Sequence, residues 1–200
     1  MKNEMFIGQV LPKIMIKEMP INSISSDNQR LLKYKIFSCA FSYPGDDFFK
    51  YFPQLSKDQG KIIAEYDSLF RKNDIWLYTT EYTSKGTFQR SQDLSNIGGF
   101  YKAFGLELDK DRPDSLFAEF EFMHYLIFKR IYAAKNKPEK FKEKESICSD
   151  AQVKFFNQYL YPGAKAIAAR ILSQVDESVY KEIAEELLIF LEQEKDFLKT

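Results

Sequence analysis

Residues 112–134 read RPDSLFAEFEFMHYLIFKRIYAA, and the fold turns on how that run is taken. Wound as a helix, it stacks Leu116, Phe120, Met123, Ile127 and Ile131 along one face. Phe117, Phe122, Tyr125, Leu126 and Phe128 make most of the remaining circumference apolar. A helix apolar nearly all round is one that other elements surround. At about 1.5 Å per residue it is as long as a small domain is wide, so neighbours can pack along most of it. The run is expected to be the central helix.

Upstream, Ser91 opens a further helical pattern through Leu94, Ile97, Tyr101 and Phe104 that stops at Gly105, a natural residue to follow a helix end. Gly98 and Gly99 sit inside it at roughly 1 kcal/mol each against alanine, which predicts a close neighbour at that backbone, the central helix being the expected one. Residues 73–90, NDIWLYTTEYTSKGTFQR, lack a helical period and hold the only tryptophan, Trp76, with Tyr78, Tyr82 and Phe88. A loop of that length inside a compact domain usually has a task. Earlier still, Asp27 is placed to cap a helix carrying Leu32, Ile36, Cys39 and Ala40. Ser56 and Gln59 have the spacing of a capping box ahead of Ile62, Ile63, Tyr66, Leu69 and Phe70. Residues 1–26, broken by Gly8, Pro12 and Pro20, read as an arm.

Downstream, residues 135–146, KNKPEKFKEKES, read as a charged, solvated hinge. Residues 147–200 then carry Ser149 and Gln152 at capping-box spacing, a helix ending near Pro162, an alanine-rich helix from Gly163 to Gln174 and a last helix from Asp176. That last helix is striped by Tyr180, Ile183, Ala184, Leu187, Leu188 and Leu191. With no alternating strand pattern and no internal repeat, the expected class is all-α: a compact helical bundle, one overall domain with segments 1–26, 27–134, 135–146 and 147–200. A solvated hinge lets C-terminal helices exchange, so a monomer or a domain-swapped homodimer is expected, to be told apart by size-exclusion chromatography across concentration and pH.

The chain has 44% hydrophobic and 16% aromatic residues, enough for a sizeable core. Lysine plus arginine and aspartate plus glutamate balance at 29 each, so no net field gathers nucleic acid. Two cysteines, Cys39 and Cys148, without a CxxC spacing, fit a reducing cytoplasmic location. No apolar run approaches the roughly 18 residues of a membrane span, and no export signal is expected at the N-terminus.

Chemistry is sparse. His124 is the only histidine, and Glu119 and Glu121, two positions apart on a helix, stand about 200° apart and cannot act on one bond. No GxSxG elbow or phosphate loop occurs. The expectation is therefore no enzyme, no metal and no cofactor, with an all-α metal-dependent enzyme using His124, Glu119 and Glu121 as the rival. What stands out is a surface. Glu107, Asp109, Asp111 and Asp114 fall within eight positions ahead of the central helix. One or two complement the helix dipole; four exceed that need. Acids beside exposed aromatics suit a peptide bearing arginines followed by an apolar run, because carboxylates take guanidinium forks and rings cover the rest.

At these residues the chain resembles the TorD/DmsD/NarJ-type chaperones, whose signature joins a Pro-Asp-His-Leu-like tetrad to a Glu-Leu-Glu-Phe-like element. Here they are Pro113, Asp114, Ser115, Leu116 and Glu119, Phe120, Glu121, Phe122. Residues 88–108 further resemble members serving dimethyl-sulfide and ethylbenzene dehydrogenase-type enzymes, and EYDSLFRKND and YTTEY fit the family order. The resemblance implies a cytoplasmic, system-specific chaperone that binds the catalytic subunit of a molybdopterin-containing oxidoreductase, often at its twin-arginine signal peptide, and assists cofactor insertion before export. A permanent accessory subunit of that oxidoreductase is the alternative within the same frame. Carried onto this sequence, the implied peptide contacts are Asp114 first, with Arg112, Pro113 and Ser115 around it, then Glu119, Glu121, Trp76 and Tyr82. Ser115 departs from the family's histidine.

Overall fold

The computed structural model describes residues 27–72, 75–107, 112–136 and 138–199; the expected arm at 1–26 lies outside them, as do Asp109 and Asp111. The described chain is helical except for short connections. Helix α1 spans Asp27–Phe41, α2 Asp46–Tyr51, and a 3₁₀ stretch Pro53–Asp58 leads into α3, Gln59–Asp67, which ends in a π turn, Ser68–Lys72. Helices α4, Thr80–Thr83, and α5, Thr87–Ala103, precede the central α6, Leu116–Asn136. Then come α7, Phe141–Phe155, a π turn, Phe156–Leu160, α8, Tyr161–Leu172, and α9, Val179–Phe197.

Helix α6 has the central place that its composition predicts. Leu116, Phe120, Met123, Leu126 and Ile127 are fully buried, α1 lies along one side and α7 along another. Phe120 meets Phe37 at 5.7 Å between ring centres, and Phe37 meets Phe190 of α9 at 5.1 Å, so α1 is the aromatic filling between α6 and α9. Two features differ from expectation. Residues 112–115 are not helical but form the turn before α6, and towards its C-terminus Phe128 and Tyr132 emerge into solvent.

Gly105 ends α5 as expected. With φ of 74° it occupies the left-handed region; its N–H donates to Lys102 C=O (3.0 Å) while Leu106 N–H donates to Tyr101 C=O (2.9 Å), the paired bonds of a Schellman ending. The capping boxes differ. Ser56 lies within the 3₁₀ stretch, and no side chain caps α3. Ser149 and Gln152 fall inside α7, because an i, i+3 polar pair recurs by chance along any helix. Pro162 does not stop the chain: the π turn before it covers position 158, whose carbonyl would otherwise face the missing prolyl N–H. The charged stretch 135–146 comprises the end of α6, a 3₁₀ turn, Pro138–Lys140, and the start of α7. Residues 80–83 and 87–90 are helical, so the aromatic loop shortens to an extended run before Thr80.

A polar staple between the Trp76 run and the start of the central helix

The run 75–79, extended up to Tyr78 and turning into α4 at Thr79, is laced to the turn before α6. Thr79 N–H donates to Asp114 C=O and Leu116 N–H to Leu77 C=O, both at 2.9 Å, with Tyr78 and Ser115 opposed as an isolated antiparallel bridge. Ser115 is the N-cap of α6: its hydroxyl accepts from Ala118 N–H at 3.2 Å, satisfying one orphan donor of the first turn. The Tyr101 hydroxyl donates to Pro113 C=O at 2.7 Å. Pro113 and Ser115 thus shape the turn itself.

Asp114 is fully buried. Thr80 donates to Oδ2 from its amide at 3.3 Å and from its hydroxyl. Arg112 closes the carboxylate with Nε to Oδ1 at 3.0 Å and Nη2 to Oδ2 at 2.8 Å. The expected open acidic contact is therefore corrected: Asp114 presents no free oxygen to solvent in this arrangement. A carboxylate taken out of water needs a counter-charge and donors, and Arg112, two residues earlier, supplies the charge.

Arg112 itself is 37% exposed. Its Nη1 donates to Glu81 Oε1 at 2.9 Å, and its guanidinium carbon stands 4.2 Å from the centre of the Tyr78 ring. Burial opposes its charge, but the hydrogen bonds to Asp114 and Glu81 outweigh burial and hold its pKa above the ordinary arginine value. The second Glu81 oxygen takes Arg90 Nη1 at 2.9 Å. Two carboxylates thus hold two arginines, one of them over a ring. Tyr78 is legible as one of the loop aromatics, but Thr80, Glu81 and Arg90 are not singled out by the sequence, although YTTEY at residues 78–82 is the signal: it interposes a hydroxyl pair and an acid between aromatics. Trp76, half exposed, alternates with buried Ile75 and thus lies on the solvent side of the run. Tyr82 is half-buried against the core.

Glu119 and Glu121 diverge as their angular spacing requires. Glu121 accepts from Lys35 Nζ and Ser38 Oγ of α1, each at 2.6 Å, and His124 Nδ1 lies 2.9 Å from Leu31 C=O, also of α1. Glu119 turns the other way and is fully buried, accepting from the Thr79 hydroxyl at 2.6 Å. Glu119 and Glu121 are therefore parts of packing contacts on two sides of α6. Among the described residues no group of three or more His, Cys, Asp or Glu is arranged to hold a metal.

Burial pushes the Glu119 carboxyl well above the usual carboxylate range; the Thr79 hydroxyl works against that and the Asp114 charge adds to it. A pKa raised in the folded state gives stability that is whole below the unfolded value, near 4.3, and is lost as pH rises towards the folded value, by up to about 1.4 kcal/mol per pH unit. Glu119→Gln removes the titration. Its stability relative to the parent is expected to climb as pH rises above the ordinary carboxyl value, near 4.3, in denaturation curves, and a difference constant with pH would contradict a carboxyl held up by burial.

A family model described as nitrate reductase delta subunit matches residues 47–169, more than half of the chain and the whole of the staple. The chain belongs to that family, which serves the maturation of molybdoenzymes in an accessory rather than a catalytic role. No curated protein and no solved structure matches the chain. No described helix is long and apolar enough to cross a membrane.

Proposed function

We propose that the protein is a cytoplasmic, system-specific chaperone that holds an arginine-bearing N-terminal peptide of a molybdopterin oxidoreductase's catalytic subunit, of the twin-arginine type, while that subunit receives its cofactor. The observation that carries the reading is the pair of carboxylates, Asp114 and Glu81, built around guanidinium groups beside the exposed Trp76. Arg112 and Arg90 occupy those places. A client arginine entering where the half-exposed Arg112 leaves exchanges like for like, so buried Asp114 is never left uncompensated, the state that costs most. Trp76 and Tyr78 then offer apolar cover to the residues that follow.

Calorimetric titration with a twin-arginine peptide tests this. Binding is expected to weaken at least tenfold with Glu81→Gln and with arginine-to-lysine changes in the peptide, because lysine cannot make the fork. Arg112→Ala is expected to tighten it, and the peptide should raise the melting temperature of that variant more than that of the parent. Equal binding of the lysine peptide would refute guanidinium recognition; no binding to signal peptide or full-length subunit would refute the client.

A further inference from the structure

The central helix is apolar nearly all round, yet not all of it is covered. Where α6 runs past the end of α5 and the start of α7, a groove of about 480 Å³ opens, within the roughly 300–1,000 Å³ of ligand-binding concavities. Phe104 and Tyr125 form its floor with buried Cys148, and Phe128, Tyr132 and Ile147 stand along it in solvent, Ile147 being 52% exposed. Three of the exposed large apolar side chains thus converge on one concavity, whereas apolar side chains scattered singly over a surface need no explanation. Its rim is cationic. Lys129 and Lys144 line it, and among the described residues neither forms an ion pair with a carboxylate. Lys129 instead lies 5.0 Å over the Tyr125 ring. Next door on the same two helices, but turned away from the groove, Arg130 is paired with both Asp27 and Glu145. In a chain with no net charge, unpaired lysines on either side of an apolar trough are a local bias.

We propose that this groove is a second docking surface, for an amphipathic helix that carries apolar side chains on one face and acidic residues beside them, presented by the client's folded body. The charge of the rim selects acidic flanks. The groove follows α6 from Tyr125 to Tyr132, about 10 Å or two helical turns, which suits anchors at i, i+3 or i+4, and i+7. A concave trough suits a helix better than the flat surface of a bilayer. The surface is separate from the arginine-holding staple, so the inference goes beyond the peptide reading and does not depend on it.

The test uses the full chain and a fluorescein-labelled helical peptide with leucines on one face and glutamates and glutamines on the other, against a twin with lysines in place of the glutamates. Anisotropy should show the acidic peptide binding at least tenfold more tightly than its twin. Phe128→Asp/Ile147→Asp, at exposed positions that leave the core intact, should weaken it tenfold or more. Lys129→Glu/Lys144→Glu should reverse the preference, with unchanged melting temperature as the control for folding. The twin-arginine peptide should bind all these variants as it binds the parent, so failure here and failure of the client reading are told apart. Equal binding of both helices, binding indifferent to Phe128 and Ile147, capture by anionic phosphatidylglycerol vesicles instead of the peptide, or a dimer of the parent abolished by Phe128→Asp would each overturn the proposal.

Discussion

Glu194→Ala is expected to remove about 3–5 kcal/mol of folding stability, a fall in melting temperature on the order of 10 °C for a domain of this size. Arg30 has no exposed surface. Its Nε donates to both oxygens of Glu194, at 3.1 and 2.9 Å, its Nη2 to Gln152 Oε1 at 2.7 Å and its Nη1 to Asp27 at 3.1 Å. The guanidinium also stands 4.3 Å over the Phe197 ring, and the Tyr34 hydroxyl donates to Glu194 at 2.9 Å. One ion pair therefore ties α1, α7 and α9 together. Burial alone would lower the arginine pKa, but the bonds and charge of Glu194 outweigh it and raise it. Alanine at 194 strips the buried cation of its main counter-charge and Tyr34 of its acceptor, and an uncompensated buried charge is the costliest state such a pair can enter. Arg30→Met/Glu194→Leu, which removes both charges and keeps apolar volume, is expected to recover most of the loss. Urea denaturation of the three proteins decides it, and a Glu194→Ala variant within about 1 kcal/mol of the parent would mean that the pair is worth no more than a surface contact.

Arg30 and Glu194 are 164 residues apart, and each in its own helix looks like one more charged residue of a solvated face. Nothing local distinguishes them from Lys33 or Glu192, which is why periodicity found α1 and α9 but not what locks them. The apolar stripe of α9 was legible except for Phe190, which holds Tyr34 and Phe37. The central helix was legible because its excess of apolar residues has few other uses, and the divergence of Glu119 and Glu121 because it follows from 3.6 residues per turn alone. The burial of Asp114 was not. A string of acids before a helix reads as a surface, and only coordinates show that Arg112 and Thr80 fold over one of them. Gly98 and Gly99 misled for a related reason: a glycine inside a helix marks a close neighbour only if one is there, and a Cβ at either would meet nothing within 4 Å.

The close approach is made elsewhere, and it sets the second large effect. A Cβ at Gly163 would overlap the Cβ of Thr79 and lie 2.9 Å from its Cα. A side-chain tip can swing aside; a main-chain carbon cannot. Gly163→Ala must therefore push the run 75–79 away from α8, at about 3 kcal/mol, the upper end of what overpacking usually costs. Glycine in a helix normally pays in flexibility, so Gly99→Ala, with open space around it, is expected to gain up to about 1 kcal/mol. The same substitution thus has opposite signs in two helices of one protein. The damage at Gly163 reaches the staple because Thr79 is where it is fastened: its amide holds Asp114 C=O and its hydroxyl holds Glu119. With Thr79 displaced, Thr80 and Glu81 no longer meet Arg112 as they do now, so the variant should lose arginine-peptide binding even at temperatures where circular dichroism reports full helicity. Thr79→Gly in the Gly163→Ala background removes the atoms closest to the new methyl and should restore part of the stability. It should restore less of the binding, since the Thr79 hydroxyl is gone. If Gly163→Ala melts with the parent and binds peptide as well, α8 does not position the Trp76 run, and the staple stands on its main-chain bonds to Asp114 and Leu116 alone.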